Sequence, residues 1–185
     1  MSEKSLIICS GTWPSLDSGY GIAVRSALFA YSRHFRRVVF LGPSDLQRHP
    51  TVESEFPDVE WRTFACRRNS KPLRFFKSLF LDMPAIAVAY RQLGKVLFPV
   101  LSDMVTETNG DGRGLVVLYE DLPAALWAKE VKASAPSVTQ VLRSHNVLTK
   151  GFAGLDRVGT LITRMAWAHE LCKITAFERA VVKNM

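Results

Sequence analysis

The chain is 185 residues long, 48% of its residues are hydrophobic and 22% are charged, and this composition excludes a disordered chain. Its formal net charge is +7 at pH 7, and the segment from residue 62 to residue 95, with eight Lys or Arg and one acidic residue, accounts for all of that excess. The three cysteines, Cys9, Cys66 and Cys172, lie far apart without a CxxC motif, which excludes a disulfide framework or a zinc site and favours a reducing, cytoplasmic compartment.

Short apolar runs alternate along the chain with segments of helical periodicity. In chain order the sequence predicts a strand at 6–10, a helix at 21–35, strands at 37–43 and 59–64, helices at 73–81 and 85–101, a strand at 115–119, a helix at 122–134, a strand at 137–144 and a long amphipathic helix from about residue 155. The apolar stripe predicted for this last helix comprises Leu161, Met165, Ala168, Leu171, Cys172 and Phe177. The alternation is typical of an α/β fold of Rossmann-like type, a three-layer arrangement of a parallel sheet with helices on both faces.

Polar side chains follow two of the predicted strands at the points where those strands end. Glu120 and Asp121 come directly after one strand, and Arg143, His145 and Asn146 stand at the carboxyl end of the next. Ligands of parallel sheets bind beyond the carboxyl ends of the strands. The sequence therefore predicts a site at this edge that hydrogen-bonds a polyhydroxylated ligand.

The stretch SGTWPSLDSGYGIAVRSAL joins the first predicted strand to the first helix and contains Gly19-Tyr20-Gly21. A dinucleotide-binding fingerprint needs G-x-G-x-x-G/A directly after the strand, but here about eight residues precede Gly19 and Val24 stands at the third position. An NAD(P)-binding domain is therefore the least favoured interpretation. Two others stay open: the glycines only let the chain turn into a helix capped by Ser18 or Asp17, or their N–H groups approach a ligand phosphate.

These segments resemble the N-terminal domain of retaining, nucleotide-sugar-dependent bacterial glycosyltransferases of GT-B fold, the group 1 or family 4-like enzymes that build cell-surface polysaccharides. The resemblance rests on the glycine stretch, on VVFLGP, on LVVLYEDLPAAL and on RSHN followed by a helix with spaced acids, and it spans nearly the whole chain in order. The family often has R-x-H-N-x-E, whereas the sixth position here is Leu148, so any role of that Glu is absent or moved.

The resemblance implies a role for each group of candidate residues. The loop of Ser18, Gly19, Tyr20 and Gly21 would lie against the donor's phosphates and stabilise the leaving diphosphate. His145, the candidate catalytic residue, would lie near the donor sugar and bond one of its hydroxyls. The residues that would orient the acceptor are Glu120, Asp121, Arg143 and Asn146. The family works without a metal or a cofactor, and the nucleotide sugar is its substrate.

By the same resemblance, residues 1–185 are a single acceptor-side domain, and the C-terminal domain that binds the nucleotide sugar is absent from this chain. We expect the full-length protein to be a hexosyltransferase-type enzyme that acts on a saccharide or lipid-linked acceptor, and the present chain alone to be inactive. A second interpretation is a non-catalytic module of the same fold that binds a sugar, a nucleotide or a partner protein.

The basic segment interleaves cations with phenylalanines, a pattern typical of contact with an anionic membrane surface. The residues predicted for that contact are Arg67, Arg68, Lys71, Arg74, Phe75, Phe76 and Lys77. The alternative is a solvated helix face with buried phenylalanines. No nucleic-acid-binding motif accompanies the charge, so no nucleic acid partner is predicted. The resulting expectation is a cytoplasmic protein, peripheral at the inner face of the membrane.

Overall fold

The structure is a computed structural model that describes residues 4–44, 50–66, 78, 80–81, 83–108, 112–144, 150, 153–154, 157 and 159–185. Its strands are β1 (Ser5–Cys9), β2 (Arg37–Pro43), β3 (Val59–Phe64), β4 (Leu115–Tyr119) and β5 (Thr139–Leu142). The helices of the described residues are α1 (Gly19–His34), α2 (Pro50–Glu55), α3 (Ala85–Val88), α4 (Gly94–Glu107), α5 (Ala128–Ser134) and α6 (Leu161–Asn184), with a 3₁₀ helix at Pro123–Trp127 before α5.

The strands form one parallel sheet in the order β3-β2-β1-β4-β5. The central strand is β1, in which Ser5 pairs with Arg37 of β2 on one side and with Leu115 of β4 on the other. Helices connect the strands and cover both faces, as parallel sheets require. The predicted Rossmann-like α/β fold with three layers is confirmed.

Alternate side chains of the strands fill two separate cores, one on each face of the sheet. The first core joins the strands to α4, α5 and the 3₁₀ helix through Ile7, Cys9, Val39, Val117, Tyr119, Leu97, Ala125 and Val131. The second joins them to α1 and α2 through Leu6, Ile8, Val38, Phe40, Leu118, Val24, Leu28, Val52 and Phe56. Every strand except the outer β3 and β5 is therefore buried on both faces, which explains the near-continuous apolar runs.

The loop after β1 is fixed to the sheet by Trp13. Its ring stacks on Phe40 with centroids 5.5 Å apart, and its Nε1 donates a hydrogen bond to the carbonyl of Pro43 at 2.9 Å. A Cβ at Gly42 would lie 2.5 Å from the Trp13 ring, so this glycine, the last but one residue of β2, makes room for the indole. The loop therefore lies over the carboxyl ends of β1 and β2.

The predicted strands are confirmed within two residues at each end, whereas the helices differ more. The predicted helix at 85–101 divides into α3 and α4, and α4 begins at Gly94, where a Cβ would lie 2.7 Å from Cε2 of Trp127. The helix at 122–134 begins as a 3₁₀ helix, and α2 has no predicted counterpart. Of the predicted helix at 73–81, only Ser78, Phe80 and Leu81 lie within the described residues.

Four of the six residues in the apolar stripe predicted for the last helix do not face the core. In α6 the buried residues are Glu170, Ile174 and Val181, and the exposed ones include Leu161, Met165, Ala168 and Cys172 from the predicted stripe. Leu171 and Phe177 are half-buried. Polar contacts fix this rotation, because Glu170 accepts hydrogen bonds from Ser78 Oγ (3.1 Å) and Ala85 N, while Lys173 Nζ donates to the carbonyls of Ser78 and Leu81.

Candidate functional site at the switch point of the sheet

The carboxyl ends of β1 and β4 lie side by side at the centre of the sheet, where the strand order reverses. From β1 the chain continues to β2 on one side, and from β4 it continues to β5 on the other. The loops that leave these strands diverge, and ligands of open parallel sheets bind in the crevice between such loops. Five side chains meet at this point, and we call them the switch-point cluster: Tyr20, Tyr90, Glu120, Asp121 and Arg143.

Tyr20 connects the first turn of α1 to the end of β4. Its hydroxyl donates a hydrogen bond to the main-chain carbonyl of Glu120 at 2.9 Å and lies 3.2 Å from Oδ2 of Asp121. Burial, and then the negative charge of Asp121, raise the pKa of Tyr20, so the phenol stays protonated and acts as a donor. The hydroxyl therefore holds the first turn of α1 against the carboxyl end of β4.

The carboxylate of Asp121 is the acceptor on which the cluster converges. Its Oδ2 accepts a hydrogen bond from the hydroxyl of Tyr90 at 3.1 Å, and its Oδ1 accepts one from Ala124 N at 2.8 Å, at the start of the 3₁₀ helix. Burial, followed by the charge of Asp121, raises the pKa of Tyr90 as well. Sequence reasoning missed Tyr90, because it stands in an apolar run without a motif.

Gly11 is a second residue that sequence reasoning missed. A Cβ at this position would lie 2.8 Å from Oδ2 of Asp121 and 2.9 Å from Cζ of Tyr90, which is closer than real Cβ atoms approach. The main chain of the β1–α1 loop therefore packs directly on the cluster, and no side chain fits between them. The only sequence signal is a glycine immediately after the strand.

The glycine pair lies in the first turn of α1 and not in the preceding loop. Ser18 is the N-cap, and its Oγ accepts a hydrogen bond from Gly21 N at 3.0 Å, which confirms one of the two predicted caps. Neither Gly19 nor Gly21 has a positive φ. A Cβ at Gly21 would meet the hydroxyls of Ser15 and Ser18, whereas a Cβ at Gly19 would meet nothing within 4 Å. The surrounding side chains therefore require a glycine at position 21, whereas position 19 has space for a side chain.

Glu120 and Arg143 form an ion pair across the ends of β4 and β5. The Glu120 side chain is 1% exposed and that of Arg143 is 28% exposed, and Arg143 Nη1 lies 3.3 Å from Oε1 of Glu120. Arg143 Nη2 also donates a hydrogen bond to the carbonyl of Ala23 in α1 at 2.9 Å. A buried carboxylate needs such a partner, so this contact fixes the guanidinium at the predicted edge.

Four of the predicted site residues are thus brought together: Tyr20, Glu120, Asp121 and Arg143. Ser18, Gly19 and Gly21 lie beside Tyr20 in the chain, at the start of α1. His145 and Asn146 lie outside the described residues, and so does Leu148. The whole set predicted for membrane contact also lies outside them: Arg67, Arg68, Lys71, Arg74, Phe75, Phe76 and Lys77.

A shallow groove runs beside the glycine loop, on the side of α1 that faces α2. Its walls are formed by Ser15, Leu16, Asp17, Arg25, Thr51, Val52 and Glu55. Arg25 closes one end, because its Nε and Nη2 each lie 2.9 Å from a carboxylate oxygen of Glu55. This pair lies apart from the switch-point cluster and offers a control position for it.

The chemistry of the described edge is that of hydrogen-bond donors around a carboxylate. Nowhere in the described ranges do three or more His, Cys, Asp or Glu side chains gather in a way that could hold a metal ion. Burial, followed by the charge of Asp121, raises the pKa of the Cys9 thiol, which favours the protonated thiol over the thiolate. Each phenol donates its single proton to a protein acceptor, so it can offer a ligand only the lone pairs of its oxygen. The Arg143 guanidinium has five N–H donors, and its contacts with Glu120 and Ala23 use two of them. Such groups suit a ligand that carries hydroxyl groups or phosphate oxygens.

Comparison with models of known protein families finds no match to this chain, and comparison with curated protein sequences finds none. The resemblance to GT-B glycosyltransferases therefore stays a prediction from the sequence. None of the described helices is both long and apolar enough to cross a membrane.

Proposed function

We propose that this chain is the acceptor-side domain of a glycosyltransferase of GT-B fold, which transfers a sugar from a nucleotide-sugar donor to a saccharide or lipid-linked acceptor in cell-surface polysaccharide synthesis. The observation that carries the proposal is the switch-point cluster, in which the glycine loop, the end of β4 and the end of β5 meet. A sugar offers hydroxyl groups, which carboxylate and phenol oxygens can accept from, and its donor offers phosphates, which the N–H groups of a guanidinium can bond.

In the proposed site the open position of Gly19 admits a phosphate to the N-terminus of α1. Main-chain N–H groups and the helix dipole favour an anion there, and they would stabilise the diphosphate as its charge develops. Arg143 would act on the acceptor side, since Glu120 and Ala23 hold its guanidinium in one orientation. His145 would bond a hydroxyl of the donor sugar.

The proposal includes a peripheral contact with the inner face of an anionic membrane, because five cations interleave with aromatic residues between residues 67 and 77. Such contact would deliver a lipid-linked acceptor to the cleft. Two other functions are less well supported. A non-catalytic sugar- or nucleotide-binding module has the same fold, and an NAD(P)-binding domain would have an acid at the end of β2, where Gly42 and Pro43 stand.

The test uses the full-length natural protein, incubated with UDP-, GDP-, ADP- and dTDP-sugars and with saccharide or lipid acceptors, and it measures release of the nucleoside diphosphate. We expect Gly19→Val and His145→Ala each to depress transfer strongly. The Gly19 result is informative because the fold leaves space for the added side chain, so loss of activity would not come from unfolding. Arg25→Lys, outside the cluster, is the control. Normal rates in both site variants would refute the proposed cleft.

A further inference from the structure

The outer face of α6, directed away from the body of the protein, carries apolar residues at helical spacing. We define it by Leu161, Ile162, Met165, Ala168, Cys172 and Ala176, all of them exposed. Its three large residues are mostly exposed: Leu161 by 70%, Ile162 by 80% and Met165 by 65%. At roughly 100° per residue this face lies opposite the buried Glu170, Ile174 and Val181.

The rotation of α6 is fixed, so these residues cannot turn inward. Glu170 and Lys173 bind the 78–85 segment through Ser78, Leu81 and Ala85 on the opposite side of the helix. Moving Met165 into the core would carry the Glu170 carboxylate into water and break these contacts. A fixed, exposed row of large apolar side chains indicates a surface that meets another apolar phase.

The charge beside this row identifies that phase. Three exposed cations border the apolar row: Arg164 lies to one side of Leu161 and Met165, and Arg179 and Lys183 continue the outer face beyond Ala176. The two acids of α6, Glu170 and Glu178, lie away from this face and are buried and half-buried. A second copy of the chain, with its own net charge of +7, would bring like charges together. An anionic lipid surface brings the opposite charge, and an apolar row flanked by cations is how interfacial helices bind it.

We propose that the outer face of α6 docks on an anionic lipid surface, with Leu161, Ile162 and Met165 at the headgroup boundary and the flanking cations beside the headgroups. This inference rests on the proposed membrane contact and assigns its surface to α6, whose apolar stripe the sequence predicts to be amphipathic and core-facing. The helix lies in the plane of the interface while its other side stays packed on the protein.

Cys172 offers a direct probe, since it is exposed near the middle of the outer face while Cys9 and Cys66 are buried. The full chain is labelled there with an environment-sensitive fluorophore and mixed with phosphatidylcholine vesicles, with or without about 30 mol% phosphatidylglycerol. We expect the fluorescence emission to shift to the blue and to increase in intensity only when the vesicles contain phosphatidylglycerol.

The matched variants replace apolar side chains by serine on two different faces. Leu161→Ser, Ile162→Ser and Met165→Ser together should weaken co-sedimentation with anionic vesicles about tenfold or more. Ile22→Ser with Phe29→Ser, which changes exposed positions of α1, should leave binding within about twofold. Circular dichroism and thermal unfolding confirm that both variants are folded.

Three outcomes would overturn the inference, and they differ in whether the proposed membrane contact also fails. If the chain binds anionic vesicles with the Cys172 probe still in water and the triple variant unaffected, the α6 surface is wrong and the proposed membrane contact stands. If no binding occurs at low salt, both fail. If the probe shifts without vesicles as the protein concentration and the mass of the species rise, the occupant is a second copy.

Discussion

Arg143, which follows the last residue of β5, reaches α1 and donates a hydrogen bond from Nη2 to the main-chain carbonyl of Ala23 at 2.9 Å. Because Nη1 of the same guanidinium contacts the buried Glu120, one side chain links the ends of β4 and β5 to the helix that carries the glycine pair. The relative position of these segments, and so the shape of the crevice, depends on this residue.

Arg143→Ala is expected to lower the free energy of unfolding by about 2 kcal/mol, since it leaves the Glu120 carboxylate buried without its cation. The estimate is below that for a fully buried pair because Arg143 is partly exposed. Urea denaturation of the purified chain measures it. The double variant Arg143→Ala with Glu120→Gln should recover part of the loss, and strictly additive effects would contradict the pairing.

Gly11→Ala is expected to destabilise the protein by about 2 kcal/mol or more, because its Cβ would overlap Tyr90 and Asp121. The matched control is Gly19→Ala, where the Cβ enters open space in the first turn of a helix and should be neutral or stabilising by up to about 1 kcal/mol. Thermal and urea unfolding compare the two. Equal effects would show that Gly11 does not pack on the cluster.

The stability of the fold should fall as the pH rises above about 10. Burial raises the pKa of Tyr20, Tyr90 and Tyr119 above the ordinary phenol value of 10.0, so above that pH the unfolded chain loses protons that the folded one keeps. The thiol of Cys9 adds to this loss of stability above pH 9.0, the ordinary pKa of a cysteine, because burial raises its pKa as well. Below these values the contribution is fully present.

The variant Tyr90→Phe isolates one of these groups. It should lose about 1 kcal/mol near neutral pH, for the hydrogen bond to Asp121. At alkaline pH its free energy of unfolding should fall less steeply, by about 1.4 kcal/mol per pH unit, which corresponds to one proton. Urea denaturation between about pH 8 and 11 gives both numbers. A slope identical to that of the parent would mean that the Tyr90 phenol titrates alike in the folded and unfolded states.

Glu170→Ala should destabilise the docking of α6 by about 2 to 3 kcal/mol, because Ser78 Oγ and Ala85 N lose a buried, charged acceptor. Limited proteolysis should then cleave within α6 well before the rest of the chain. Glu130→Ala, at an exposed position of α5, is the control and should change stability by less than about 0.5 kcal/mol. Unchanged protection of α6 would contradict the anchoring role of Glu170.

The strands were predictable because burial on both faces imposes an apolar side chain at nearly every position. Residues 37–43 and 115–119 are such strands and have the predicted ends. The outer strand at 59–64 also has the predicted ends, although it is only partly buried. The helices were less predictable, and the division between α3 and α4 is an example. There Gly94 packs on the ring of Trp127, which is distant in the sequence. Local periodicity contains no information about such a contact.

The candidate site was predictable where residues follow strands and not elsewhere. Glu120, Asp121 and Arg143 follow β4 and β5, and the parallel sheet brings them to one edge. Tyr90 reaches the same edge from the turn after α3, a position that only the tertiary fold defines. Gly11 and Tyr90 matter through their contact with each other, which neither residue reveals alone.

The face of α6 that points inward was not predictable from its apolar spacing. Leu161, Met165 and Cys172 form a regular stripe, but they lie on the side away from the core. The helix packs through the buried Ile174 and Val181 and through a carboxylate and an ammonium group that bond the 78–85 segment. Prediction from the sequence assigns apolar residues to the core and charged residues to the solvent-exposed surface. Here buried polar partners outweigh that preference, and the apolar stripe is left outside.

The central position of β1 also sets the order in which the sheet can be completed. Residue 5 lies beside residue 37 on one edge and beside residue 115 on the other. On the ribosome, β1, β2 and β3 can pair early, while the second edge of β1 waits for a strand made many seconds later at about 5–20 residues per second. During that interval an apolar strand edge is open to other chains. Early synthesis is therefore when a chaperone would matter most to this protein.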